Sequence, residues 1–334
     1  MLKVGVIGFG YWGPNIVRNF NALKDSEVTR VCDLNQASIT RIHECYRHIT
    51  TTSDYRDITG SPDIDIVAVV TPVFTHYEIA RAALLNGKHV FVEKPFTSTV
   101  AEAIDLIEIA DKKGLKIMVD HTLLFTGSVR KIKELIDNKE LGNIYYYDST
   151  RINLGLFQHD VNVIWDLAPH DLSIMDYIIE DRPIAITANG VDHFKRGLED
   201  VAYITIYFEN NIIAHFNMNW LSPVKMRTTV IGGDKKMLIW NDLAADEKIK
   251  IYDRGVNIES KEGVYKLLVD YRSGDIWTPK IDMTEALKLE AEYMIDCIYN
   301  NITPINDGNA GLSVIRILEA SLLSIKNNGK MVNL

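Results

Sequence analysis

The sequence is poor in cysteine, short of basic charge and without a long apolar run. Its 334 residues hold three cysteines, Cys32, Cys45 and Cys297. Three scattered thiols make no even framework of bridges and match no zinc spacing, so a disulfide scaffold is excluded and a reducing compartment expected. No apolar stretch is read as approaching the length of a membrane span; Ile66–Val70 reads as an ordinary buried strand. A first strand at Lys3 leaves no room for a leader ahead of it, and a cytoplasmic location without membrane contact is expected. With 36 Lys and Arg against 45 Asp and Glu, the net charge is −9. That balance argues against nucleic acid or an anionic membrane as the main partner. A Gly-x-Ser-x-Gly elbow, a Walker loop and a Cys–His pairing are all missing. His43, His48, His89, His159, His193 and His215 lack partners at ligand spacing, so no metal site is expected.

What is present is ordinary for a globular chain, with 47% hydrophobic and 24% charged residues. The length suggests two domains.

The most informative stretch is the first. Lys3 to Gly8 reads as a short apolar strand, Gly8-Phe9-Gly10-Tyr11-Trp12-Gly13 as a turn, and Asn15 to Leu23 as a helix. Strand, three glycines at this spacing, then helix is what a dinucleotide site requires. Gly8 permits the tight turn, Gly10 lets the backbone approach a pyrophosphate, and Gly13 lets helix and strand pack closely. A helix N-terminus then offers N–H groups and partial positive charge to phosphate. Val28 to Cys32 reads as a second strand ending at Asp33, twenty residues after Gly13. A carboxylate there accepts bonds from adenosine ribose hydroxyls and repels a 2′-phosphate, so NAD is expected over NADP. Arg41 is the one nearby cation that bears on that preference.

Strands and helices alternate to about Asp120, which predicts a doubly wound parallel sheet over residues 1–120. Helices are expected near Asn35–Cys45, Thr75–Asn86 and from Ser98 or Thr99 to Lys113, with strands at Ile49–Thr52, Ile64–Thr71, Lys88–Val92 and Leu115–Val119. Beyond His121 the rhythm changes. A helix at Ser128–Asn138, an alternating strand at Asn143–Ile152 and a helix at Val161–Ile179 lead into strand-like sequence from Ile184 to about Ile251. Asn210-Asn211 and Gly232-Gly233-Asp234 read as its hairpin turns. Helices at Thr284–Asn300 and Asn309–Asn327 end the chain. Residues 121–334 are therefore expected to form an α+β domain on a large, mostly antiparallel sheet, its terminal helices able to pack back on the first domain.

Several side chains are placed for chemistry. Glu93-Lys94-Pro95 follows the carboxyl end of a strand, the edge where open α/β sheets bind ligands. A lysine there suits hydrogen bonding to a substrate hydroxyl or acid–base work; a solvated lysine before a helix is the plain alternative. Thr71, Pro72 and His76 end the neighbouring strand, with Thr71 or His76 in reach of ribose or phosphate. His121 follows the last strand of the sheet and is read as facing a cleft. Asp166 and His170 stand four apart, on one face of a helix. A carboxylate beside an imidazole fixes its tautomer and raises its basicity, while a surface ion pair is the structural alternative. Pro169 leaves two geometries open: one continuous helix, or a helix starting at Ala168–Pro169 with Asp166 in the loop before it.

Taken in order, the glycine turn, Thr71-Pro72 with His76, Glu93-Lys94-Pro95 and Asp166-x-x-x-His170 resemble the Gfo/Idh/MocA oxidoreductase family over essentially the whole chain. The resemblance implies an N-terminal Rossmann domain and a C-terminal open-faced sheet domain that assembles as a homodimer or homotetramer. It also implies a Lys94–Asp166–His170 constellation oxidising a sugar or polyol hydroxyl, with Lys94 and His170 as the acid/base and positioning pair and Asp166 in support. Glu93 and Thr71 are implied near the nicotinamide half of the cofactor. His121-Thr122-Leu123-Leu124-Phe125 and Trp165–Asp171 are similar to relatives acting on nucleotide-linked sugars, such as UDP-N-acetylglucosamine 3-dehydrogenases. For such a substrate Trp165 joins the site, and Lys225, Arg227 and Arg151 are candidate phosphate contacts, the first two on one strand face. Which of Lys94 and His170 accepts the proton stays open. A free-sugar or myo-inositol dehydrogenase and a catalytically silent nucleotide-binding regulator are the rival readings.

Overall fold

A computed structural model describes residues 1–155, 158, 161–258 and 269–334. Chain contacts divide it into two units, Met1–Thr126 with Thr284–Arg316, and Gly127–Met283 with Ile317–Leu334.

The first unit is built on six parallel strands: β1 (Leu2–Ile7), β2 (Ser26–Cys32), β3 (Thr50–Thr52), β4 (Ile66–Val69), β5 (His89–Glu93) and β6 (Ile117–Asp120). Their order is β3-β2-β1-β4-β5-β6, so the chain reverses direction across the sheet between β1 and β4. The switch falls at the glycine turn, where such sheets open a crevice at their carboxyl ends. Strands covered on both faces read as continuous apolar runs, and Ile66-Val67-Ala68-Val69 is buried throughout. Helices α1 (Gly13–Ala22), α2 (Gln36–Cys45), α3 (Arg56–Thr59), α4 (His76–Leu85) and α5 (Val100–Lys113) follow the strands. Thr99 caps α5 in a reciprocal box with Glu102, and Gly114, at φ 64°, ends it in the left-handed conformation. Ahead of α4, Val73–Thr75 forms a 3-10 turn, so the helix begins one residue later than expected.

This unit also takes in α8 (Ala286–Tyr299), whose Leu287, Ala291, Met294 and Ile295 pack into the same core as Val4, Val6, Phe20 and Phe91. α9 (Gly308–Lys326) begins in this unit and ends in the second. The expectation that no run approaches a membrane span is corrected here. α9 is long and apolar enough to cross one, but Val314, Ile315 and Leu318 are buried in the fold, as in a core helix.

The second unit carries α6 (Gly127–Asp137), β7 (Ile144–Leu154), α7 (Val163–Ile178), β8 (Pro183–Val191), β9 (Val201–Phe208), β10 (Ile213–Asn219), β11 (Leu221–Gly233), β12 (Met237–Asn241), β13 (Ile249–Ile258), β14 (Val269–Trp277) and β15 (Val332–Asn333). They form one sheet in the order β14-β13-β12-β11-β7-β10-β9-β8-β15, antiparallel except where β7 meets β10. Period-two alternation buries Ala202, Ile204 and Ile206 on one face and leaves Tyr203 on the other. β13 runs on past Ile251, and β14, with its Arg272-Ser273-Gly274-Asp275, has no apolar alternation to announce it.

Candidate active site

The glycine turn has the close packing its spacing requires. Gly8 sits at φ 100°, and a Cβ there would lie 2.3 Å from the Val70 carbonyl oxygen. A Cβ on Gly13 would lie 2.5 Å from the Gly8 oxygen, whereas one on Gly10 would meet nothing within 4 Å. Gly8 and Gly13 are thus needed by the fold, and Gly10 leaves an open backbone face. Asp33 closes the turn: Oδ2 accepts the Phe9 N–H at 2.6 Å and Oδ1 the Asn35 N–H at 2.7 Å. Arg41 is occupied, its guanidinium 4.9 Å over the Phe9 ring. A groove of about 740 Å³ runs along this edge, lined by Gly8, Gly10, Asp33, Leu34, Thr71 and Phe74. Its size is that of a cofactor site. Leu34, 89% exposed, and Phe74, 69% exposed, offer apolar walls that suit a planar base. An open Gly10 face, an oriented carboxylate and apolar walls fit NAD. Tyr11 and Trp12 project from the turn, edge to face at 5.4 Å, and Pro72 lines the groove.

His76 does not contribute to that groove as expected. It is buried, with Nδ1 2.9 Å from the Pro95 oxygen and Nε2 2.7 Å from the Thr71 oxygen. Burial keeps the ring neutral, so one nitrogen donates to one of these carbonyls, and with a carbonyl oxygen facing each nitrogen the ring is enclosed between the ends of β4 and β5 and does not face ribose or phosphate. Thr71 shares a 2.7 Å hydroxyl contact with Thr75.

Beside Lys94, at the ends of β5 and β6, lies a group that no motif announces. Glu93 and Asp120 are register partners, and Glu290 of α8 is buried with them. Asn306 fixes Glu290, its Nδ2 donating to Oε1 at 2.8 Å and to the Val119 oxygen at 2.7 Å. Burial pushes all three carboxyls up, and the charge of Asp120 raises Glu93 and Glu290 further. Asp120 rises less, because the Thr122 hydroxyl donates to it. Glu93 and Glu290 are therefore the protonated members. A charged residue on the buried stripe of α8 (Leu287, Glu290, Ala291, Met294) was the readable signal for Glu290. His121 is 2% exposed. Its pKa is pushed down to about 3, first by burial and then by the Lys94 charge, so the ring is neutral. Neither ring nitrogen has a hydrogen-bond partner among the described residues.

In the second unit, α7 is one continuous helix with Pro169 inside it, which rules out the shorter helix. Asn162 caps it, accepting the Trp165 N–H at 3.0 Å. Asp166 and His170 lie four apart on that helix, one turn along the same face. Trp220 donates its indole N–H to Asp166 Oδ2 at 3.1 Å, a contact no local motif predicts. Trp165 is nearly buried, and its Nε1 has no partner among the described residues.

Arg151 is a correction. It is buried and bound in a fork to Asp171, Nε to Oδ2 at 2.6 Å and Nη2 to Oδ1 at 2.9 Å. Position at a strand end suggested a phosphate contact, but its side chain points to the covered face of β7 and meets the carboxylate next to His170. Arg227 is half-exposed, with Nη1 3.4 Å from Asp242 Oδ2. Lys225 falls in the irregular stretch between Leu221 and Met226, so strand alternation does not place it on one face with Arg227. Lys94 and His121 thus lie in the first unit, and Trp165, Asp166, His170 and Arg227 in the second. Among the described residues no group is placed to hold a metal, and His159 lies outside them.

Two profiles match the chain. One, described as an oxidoreductase family with an NAD-binding Rossmann fold, covers residues 2–121; the other, a GFO/IDH/MocA C-terminal domain, covers residues 129–239. The uncharacterized oxidoreductase YrbE of Bacillus subtilis is 26% identical over 223 residues, 64% of this chain and 65% of that protein. The match thus spans just under two thirds of that curated relative. The aldose-aldose oxidoreductase of Caulobacter crescentus superposes with a TM-score of 0.83 at 19% identity, over 100% of this chain and 99% of that one. The UDP-N-acetylglucosamine 3-dehydrogenase GnnA of Acidithiobacillus ferrooxidans gives 0.78 at 23%, over 98% of each. At these identities the structures show a shared fold.

Proposed function

The chain belongs to the Gfo/Idh/MocA oxidoreductase family and carries its NAD-binding domain, and from that premise we propose that it is a dehydrogenase acting on a ring hydroxyl, at C3, of a nucleotide-linked sugar. The observations that carry the reading are Lys94 at the carboxyl end of β5 in the NAD-binding unit and, in the second unit, Asp166 and His170 one turn apart on α7. A silent nucleotide-binding regulator needs none of the three.

Gly8, Phe9, Gly10, Tyr11, Trp12 and Gly13 would hold the pyrophosphate of NAD, Asp33 its adenosine ribose, and Thr71, Pro72 and Glu93 its other half. When bound, the nicotinamide supplies the hydride chemistry. The residues do the rest. His170 accepts the hydroxyl proton, with Asp166 held by Trp220 to support the ring. Lys94 brings positive charge to the oxygen as its proton leaves. The protonated Glu93 next to it adds no competing negative charge.

The nucleotide-linked substrate draws support from the likeness to GnnA and from Trp165–Asp171, with Arg227 as the remaining candidate for the diphosphate. A second reading, oxidation of a free sugar or inositol, is favoured by Arg151, whose guanidinium is taken by Asp171. Assembly as a homodimer or homotetramer in the cytoplasm belongs to the same proposal. The test is NAD reduction with UDP-N-acetylglucosamine, its glucuronate form, free N-acetylglucosamine and myo-inositol, with cross-linking for the oligomer. Preference for a nucleotide sugar is expected. Equal efficiency with free inositol would promote the second reading, and no reduction with any polyol would leave the regulator.

A further inference from the structure

His121 follows β6 by one residue, as Lys94 follows β5, and the preceding Glu93 and Asp120 are register partners. The two side chains therefore leave adjacent strand ends. Asp33, at the end of β2, lies four strands away in the order β3-β2-β1-β4-β5-β6. At about 4.8 Å per strand that is about 19 Å, so His121 stands at the end of the edge remote from the adenosine groove.

Other imidazoles of this unit show what a structural histidine looks like. His76 has a carbonyl oxygen at each ring nitrogen, and His89 Nδ1 accepts the Lys116 N–H at 2.9 Å. His121 is as deeply buried as His76, yet neither of its nitrogens has a partner among the described residues. Burial and the Lys94 charge keep the ring neutral, with one N–H to give and one lone pair to fill. An apolar side chain of similar size would avoid the cost of two unmade hydrogen bonds, so the fold alone gives no reason for a histidine here.

We propose that His121 is a specificity-determining residue whose ring nitrogens are completed by a hydroxyl of the polyol substrate, at the reacting end of the NAD-binding edge. A hydroxyl is both donor and acceptor, and it matches a neutral imidazole in either tautomer. The inference rests on the dehydrogenase reading, and its test separates the two. In full-length protein, His121→Leu is expected to melt at or above the wild-type temperature before ligand is added. Its KM for the polyol oxidised should rise about ten-fold, the value of one neutral hydrogen bond. Its Kd for NAD, read from tryptophan fluorescence, should stay within about two-fold. His121→Asn, which keeps a donor and an acceptor, should recover part of the KM. A lower melting temperature with unchanged KM would overturn the proposal, because it would make His121 a packing residue. If His121→Leu does not fold, the ¹⁵N ring signals of His121 in the NAD-bound wild type decide. They should shift on adding UDP-N-acetylglucosamine or myo-inositol, and signals that stay in place with both would overturn the proposal. Absence of NAD reduction with either polyol would count against the dehydrogenase reading alone, leaving the ring signals to judge His121.

Discussion

The buried pair between Arg151 and Asp171 carries the sharpest consequence of the second unit. The two side chains are 5% and 3% exposed and share two short hydrogen bonds, one on each carboxylate oxygen. Arg151→Met removes the cation and leaves Asp171 charged in the interior. Breaking a buried pair from one side typically costs about 3–5 kcal/mol. Against a usual total of about 5–15 kcal/mol, that is about a fifth of the stability or more. Arg151→Met with Asp171→Leu removes both charges and both desolvation penalties, and should fall within about 1 kcal/mol of wild type. Urea unfolding followed by the emission of the buried Trp220 and Trp240 reads both variants. The double variant also reports on function, since it folds without a guanidinium at position 151. Its KM for UDP-N-acetylglucosamine should change no more than its KM for a free sugar. A loss below about 1 kcal/mol in Arg151→Met, or a KM increase confined to diphosphate substrates in the double variant, would refute the reasoning and return Arg151 to the phosphate site.

Three further outcomes are expected. Asp33→Asn should raise the KM for NAD and narrow its advantage over NADP, because the carboxylate both accepts ribose hydroxyls and repels a 2′-phosphate; steady-state constants for both cofactors decide it, and an unaltered ratio would contradict the assignment. Glu290 has a folded pKa raised well above 4.5, so above pH 4.5 the unfolded chain releases a proton the folded protein keeps, and stability falls as pH rises towards the folded value. Glu290→Gln should therefore gain on wild type between pH 5 and pH 8, by up to about 1.4 kcal/mol per pH unit, and equal urea midpoints at both values would deny the protonated state. His121 works in the opposite sense: below its unfolded pKa of 6.5 the unfolded chain takes up a proton that the folded ring refuses until about pH 3. Stability should fall as pH drops through that window, and His121→Leu should flatten the decline.

The glycine turn, the parallel sheet and the helix carrying Asp166 and His170 were legible because each rests on local constraints. Gly13 is fixed by a contact within its own turn and Gly8 by its left-handed φ as well as by Val70, and strand periods and helix caps such as Thr99 and Gly114 act over a few residues. What escaped depends on partners distant in sequence. Arg151 has the composition of a phosphate contact, but its fate is decided by Asp171, twenty residues away on another element. His76 looks like a ligand by position until its burial between the Pro95 and Thr71 carbonyls is seen. Glu290 meets Asp120 only because α8 returns to the first unit's core. β14 escaped for a simpler reason, since a polar strand carries no alternation to read.

Deuterium transfer tests the central claim most directly. The protein is mixed with NAD and UDP-N-acetylglucosamine deuterated at C3 of the sugar, and the absorbance of the reduced cofactor is followed before mass analysis of cofactor and sugar. The predicted result is deuterium on the reduced nicotinamide and a 3-keto sugar. His170→Asn should slow the transfer by about a hundred- to ten-thousand-fold while NAD binding persists. Reduced cofactor without deuterium would move the reaction to another hydroxyl. No cofactor reduction with this or any polyol would contradict the account.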